Sequence, residues 1–147
     1  MPMYVKHKIE AGTAGVLSFF AAFMFPKEHT FTMDSAAVLL LAILLSSTMI
    51  ALTSLSGKKA IQQLAETPSK QCPAKTNLGV FRDYFSTSFS VDLFTLGVIA
   101  AKNIVLYEGC PEILFAIADS LEFALLVSNL ILYKFVFNLV KIYFYQD

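Results

Sequence analysis

The chain has no tryptophan, one arginine (Arg82), two cysteines (Cys72 and Cys110) and two histidines (His7 and His29) in 147 residues. Two cysteines make no disulfide framework and offer no metal spacing. His7 and His29 stand alone, without a second ligand nearby, and are expected to be solvated. Eleven basic residues balance eleven acidic ones, and one arginine leaves no basic patch for nucleic acid. No G-x-S-x-G, H-E-x-x-H or Walker sequence occurs. The expectation is a non-enzyme with no cofactor and no bound metal.

What is abundant is apolar surface. Hydrophobic residues make up 56% of the chain, against about 45–50% in an average soluble domain, and the mean hydropathy is +0.65. They sit in four blocks separated by charged or proline-containing stretches, the pattern of a polytopic membrane protein. The fold expected is all-α: one domain over residues 1–147, with four transmembrane helices as an antiparallel bundle.

The spans expected are residues 9–25, 36–56, 85–107 and 113–140. Lys6, His7 and Lys8 before the first block read like the start of a signal peptide. The block ends in "FMFPKEH" without a small-x-small cleavage site, so it is expected to stay as a span. Its opening "AGTAG" places small residues four apart, which lets a neighbouring helix come close. In "PKEHTFTMDS", Asp34 or Ser35 is expected to cap the second helix. That helix ends in "SSTMIALTSLSG", whose hydroxyls are expected to bond back to their own backbone or to glue helices together.

Residues 57–84 form the longest polar stretch. "KKAIQQLAE" can continue the second helix, Pro68 and Pro73 break the segment after it, and "LGVFRDYF" is amphipathic, suited to the interface before the third span. The fourth block is longer than a bilayer requires, and its tail "YKFVFNLVKIYFYQD" has the Tyr, Phe and Lys content of an interfacial belt. Lys6, Lys8, Lys58, Lys59, Lys70, Lys75, Arg82 and Lys141 fall on one side of this plan, and Lys27 on the other. The positive-inside rule then puts both termini and the long loop in the cytoplasm. Cys72 and Cys110 end on opposite sides, so they cannot pair within one chain.

The third and fourth blocks carry charge. Ser88, Asp92, Thr95 and Lys102 lie at offsets of four, seven and fourteen, along one stripe of a helix. Asp119, Glu122, Asn129 and Tyr133 lie at offsets of three, ten and fourteen, again one stripe. Counted from the Gly109–Cys110 turn, Lys102 and Asp119 differ in level by roughly 3 Å, so Lys102 can meet Asp119 or reach Glu122. The same count sets Asp92 opposite Ser128 and Asn129, near the level of Ser47 and Thr48. A charge at mid-bilayer costs about 2.5–3.5 kcal/mol on insertion scales, so these groups are expected to face one another. Two roles stay open: a lock that sets helix register, or a polar conduit or gate, which surplus acid would make cation-preferring. Lys58, Lys59, Arg82 and Lys141 are candidates for contact with a cytosolic partner.

"TMIALTSLSGKK", at the end of the second block, resembles the corresponding stretch of RexB-type phage exclusion proteins, where a similar T-M-I-A run leads to glycine and basic residues. Span order, outer turn and length are also similar, and the four-span plan looks like the membrane component of the Kiwa antiphage system. The resemblance implies a bacterial inner-membrane protein of antiviral defence, a homo-oligomer such as a tetramer, sensing attack or dissipating ion gradients. The other reading is a membrane scaffold that recruits a cytosolic effector through its loop and tail.

Overall fold

A computed structural model describes residues 3–24, 31–54, 58–69, 72, 74–105 and 111–144. These form five helices and no strand: α1 (Met3–Met24), α2 (Phe31–Ser54), α3 (Lys58–Glu66), α4 (Asn77–Val105) and α5 (Glu112–Phe144). The all-helical class read from the sequence holds, with α3 as an additional element.

The helix ends reflect local chemistry. Thr76 accepts a hydrogen bond from Gly79 N–H through its side chain (3.2 Å) and from Val80 N–H through its carbonyl (3.0 Å), capping α4. Thr67 N–H and its hydroxyl both donate to the Gln63 carbonyl at the end of α3. The next residue, Pro68, has no N–H to offer. The link to α4 is tight. Ser69 N–H donates to Lys75 O (2.8 Å), Asn77 N–H donates to Thr67 O (3.0 Å), and an antiparallel bridge joins Pro68 to Thr76. Lys75 pairs with Asp83 at 2.5 Å on the first turns of α4.

α4 starts earlier than the sequence pattern marks. "LGVFRDYF" is the continuous first part of α4. Its apolar face explains this: Val80, Phe81 and Tyr84 are buried in one cluster with Cys72 and with Val136 and Val140 of α5. Phe135 packs against that cluster from the side.

α5 is the helix the others share. It packs most extensively along α1 and α4, while α2 touches α4 and α5 over shorter lengths. Residues late in α4 meet residues early in α5, so the two run antiparallel, and α1 does the same on the other side of α5. Ser128 donates to the Ala11 carbonyl (3.1 Å), so it faces α1 and not Asp92, in contrast to the depth count. Ser128 and Asn129 have different neighbours because adjacent helical residues point about 100° apart.

Two helices are long and apolar enough to cross a membrane, Asn77–Ile104 and Glu112–Asn138, with mean hydropathy 1.3 and 1.7. Only 28% and 22% of their most apolar windows are covered by the rest of the protein. A core helix of a soluble domain hides most of its apolar surface. Here Leu93, Phe94, Ile104, Ile113 and Leu130 stay exposed. The apolar part of α2 is shorter, Asp34–Ile50.

Candidate functional site: an occluded polar seam

The side of α4 that faces α2 and α5 is polar and closed. Ser88, Asp92, Thr95 and Lys102 of α4 are all buried, as are Glu122, Asn129 and Tyr133 of α5 and Thr48 of α2. These are the two stripes read from the sequence, with only Asp119 half-buried. They face protein, while Leu93, Phe94 and Leu96 of α4 and Phe123 and Leu130 of α5 face outward.

Lys102 is the centre of the upper cluster. Its ammonium donates to Asp119 Oδ1 at 2.7 Å, to Glu122 Oε2 at 2.5 Å and to Asp34 Oδ1. It also lies 5.8 Å from the centroid of the Phe115 ring, within cation–π range. Three carboxylates from two other helices therefore close on one ammonium, tying α2, α4 and α5 together. The oxygens of Asp34, Asp119 and Glu122 are near enough to one another to hold a metal ion. The Lys102 ammonium takes that central position instead.

Asp34 is the member that sequence reasoning places elsewhere. α2 begins at Phe31, so Asp34 lies inside its first turn. Its carboxylate is turned away from the helix end, toward Lys102 and toward Asn103 Nδ2, which donates to Oδ2 at 2.8 Å. Asn103 is a second member that the stripes leave out.

Asp92 is the centre of the lower cluster. Tyr133 OH donates to its Oδ2 at 2.5 Å, and Asn129 Nδ2 donates to its Oδ1. Both of these donors to Asp92 are neutral. Two buried oxygens here, Ser88 Oγ and Asn129 Oδ1, have no hydrogen-bond partner among the described residues. Many of the hydroxyls of these helices bond back to their own backbone. Ser47, Thr48, Thr95 and Ser120 each donate to the carbonyl four residues earlier, at 2.7 Å.

His7 is a correction. It was expected to be solvated, yet its ring stacks on Phe135 of α5 (centroids 3.7 Å apart, planes 7° apart). Its Nδ1 is hydrogen-bonded to Tyr84 OH of α4 at 2.6 Å. Burial lowers its pKa from the ordinary 6.5; Glu10 opposes that shift and Lys6 adds to it. The ring is apolar on both faces and polar at its edge, which suits a contact between three helices.

Of the candidates for partner contact, Lys59, Arg82 and Lys141 are exposed. The Lys58 side chain, His29, Lys27, Lys70 and Cys110 lie outside the described residues. Cys72 is a free, buried thiol.

Compared with protein-family models, with curated proteins and with solved structures, the chain matches none.

Proposed function

We propose that this chain is a multi-pass inner-membrane protein of phage defence, working as a homo-oligomer, in which the occluded seam of α2, α4 and α5 senses or passes cations. The observation that carries this reading is the Lys102 cluster: four ionisable groups from three helices, three of them buried and Asp119 half-buried, among helices whose other faces are apolar. Ionisable groups at membrane depth are expensive, and their usual reason is an ion path, a relay or a gate. Among the described residues three acids converge on one base, so the cluster is rich in negative charge when all are ionised. A cation or proton arriving there changes which contacts hold α2 to α4 and α5.

In this reading residues 9–25, 36–56, 85–107 and 113–140 span the bilayer, with both termini and the loop at 57–84 in the cytoplasm. Four helices are too few to enclose a wide pore, so conduction would run between subunits. The placement in phage defence comes from the resemblance of "TMIALTSLSGKK" to RexB-type proteins. The mostly uncovered apolar surface of α4 and α5 supports the membrane setting.

A second reading, a scaffold for a cytosolic effector, draws on α3. Its described side chains Lys59, Ile61, Gln62, Gln63 and Glu66 are exposed, and Leu64 is buried. The deciding experiment expresses the chain in bacteria and tracks membrane potential and plaque formation on infection. Lys102→Met and Asp92→Asn are expected to stay in the membrane and to lose both responses. Normal protection in both variants, with loss in Lys59→Glu and Arg82→Glu, would establish the scaffold instead.

A further inference from the structure

Among the described residues, Asp92 lacks the counter-charge that its burial requires. Its hydrogen-bond donors, Asn129 Nδ2 and Tyr133 OH, are neutral. Lys102 lies ten residues further along α4, about 15 Å at the helical rise, and is engaged by three other carboxylates. An isolated ionised carboxylate in an apolar interior is strongly unfavourable unless something positive meets it.

The surroundings of Asp92 say what that is. Ser88 Oγ and Asn129 Oδ1 are fully buried and have no partner. Ser88 lies one turn before Asp92 on the same stripe of α4, so the hydroxyl and the carboxylate are neighbours. The amide of Asn129 reaches Asp92 through its nitrogen, which sets its oxygen beside the carboxylate. An amide oxygen can only accept, so it calls for a donor or a cation. Thr95, on the same stripe, has given its proton to Val91 O and offers lone pairs alone. The set is therefore one carboxylate and neutral oxygens, with no nitrogen or sulfur acceptor among them. Such hard ligands suit a hard metal cation, and a single negative charge is balanced by a monovalent one.

We propose that Asp92, Asn129 and Ser88, with Thr95 beside them, form a binding site for a monovalent metal cation between α4 and α5. It rests on the reading of the seam as cation-handling, and it names where the cation sits. It is distinct from the acid triad around Lys102, whose centre the ammonium fills.

The test is equilibrium binding of radiolabelled sodium to the purified full chain in detergent, with choline replacing sodium at constant ionic strength. Saturable binding, displaced by unlabelled sodium and not by choline, is expected in the wild type and lost in Asp92→Asn. Ser88→Ala removes one oxygen with little change in volume and is expected to weaken binding about tenfold, the scale of losing one supporting group at a metal site. That variant keeps the test decisive if Asp92→Asn fails to fold. Absence of saturable sodium binding by folded wild-type protein overturns the proposal, and so does binding undiminished in both variants. Because the readout is binding, sodium bound by a chain that gives no potential change on infection defeats the functional reading and leaves the site. The converse defeats the site alone.

Discussion

Gly15 of α1 rests directly on Ser128 of α5. A Cβ placed on Gly15 would overlap the Ser128 hydroxyl and lie 3.1 Å from the Ala124 carbonyl, so the contact is closed to any larger residue. One turn earlier the Ala11 carbonyl accepts from the same Ser128 hydroxyl at 3.1 Å. Small residues four apart thus bring the two backbones together, the device by which helices associate where hydrophobic burial offers little drive. Gly12, on the other side of α1, has nothing within 4 Å of its would-be Cβ. Gly15→Ala is expected to destabilise the protein by about 1–3 kcal/mol, the usual cost of overpacking a close contact. Gly12→Ala should be neutral or slightly stabilising, because alanine is the better helix former. Thermal unfolding of the two variants in the same detergent checks the contrast.

Lys102→Met removes the ammonium on which Asp34, Asp119 and Glu122 converge. Removing the cation from a buried ion cluster is expected to cost about 3–5 kcal/mol, chiefly because buried acids lose their counter-charge. Glu122→Gln removes one of three negative charges and keeps an amide oxygen able to accept from the ammonium, so its effect should be clearly smaller. The two effects are expected to be non-additive: adding Glu122→Gln to Lys102→Met should recover part of the loss. A double-mutant cycle on unfolding midpoints reads that coupling directly.

Tyr133→Phe deletes the hydroxyl that donates to Asp92 Oδ2 and keeps the ring. A hydrogen bond to a charged group contributes about 1.5–3 kcal/mol, so a loss in that range is expected. Asn129 still donates to the other carboxylate oxygen. If Asp92 is neutralised first, as Asp92→Asn, the same Tyr133→Phe change should cost noticeably less. Comparing the two backgrounds by thermal unfolding separates the hydrogen bond from ring packing.

The stripes on α4 and α5 were legible because helical periodicity fixes which residues share a face, and burial of charge dictates that the face turns inward. Counting from one turn was enough to pair Lys102 with Asp119 and Glu122. Asp34 was not legible in the same way. A carboxylate near a helix start is ordinarily read as a cap, and only the packing of α2 against α4 turns it to Lys102. His7 shows the opposite limit: a lone histidine beside two lysines reads as solvated. Its stacking partner Phe135 is 128 residues away, and nothing local marks the pair. Ser128 and Asn129 divide between α1 and α4 for a similar reason, since the sequence does not show which helix stands on which side of α5.

The His7 contact predicts a pH dependence whose sign is fixed by its burial. In the folded protein its pKa is lowered from 6.5 by that burial, so the unfolded chain takes up the proton first. The stabilisation from neutral His7 is complete above 6.5 and is lost as pH falls through the lower, folded value. A charged ring stacked 3.7 Å from Phe135 and partly withdrawn from water is the less favoured state. Wild-type unfolding midpoints should therefore fall between pH 7.5 and pH 5 by more than those of His7→Gln, which cannot titrate. Equal slopes in the two proteins would show that the ring carries its proton as easily folded as unfolded. A steeper fall in the wild type also predicts that acid loosens α1 first, since His7 is the side chain of α1 that reaches Tyr84 of α4. Faster proteolysis within α1 at pH 5 than at pH 7.5, absent in His7→Gln, would register that release.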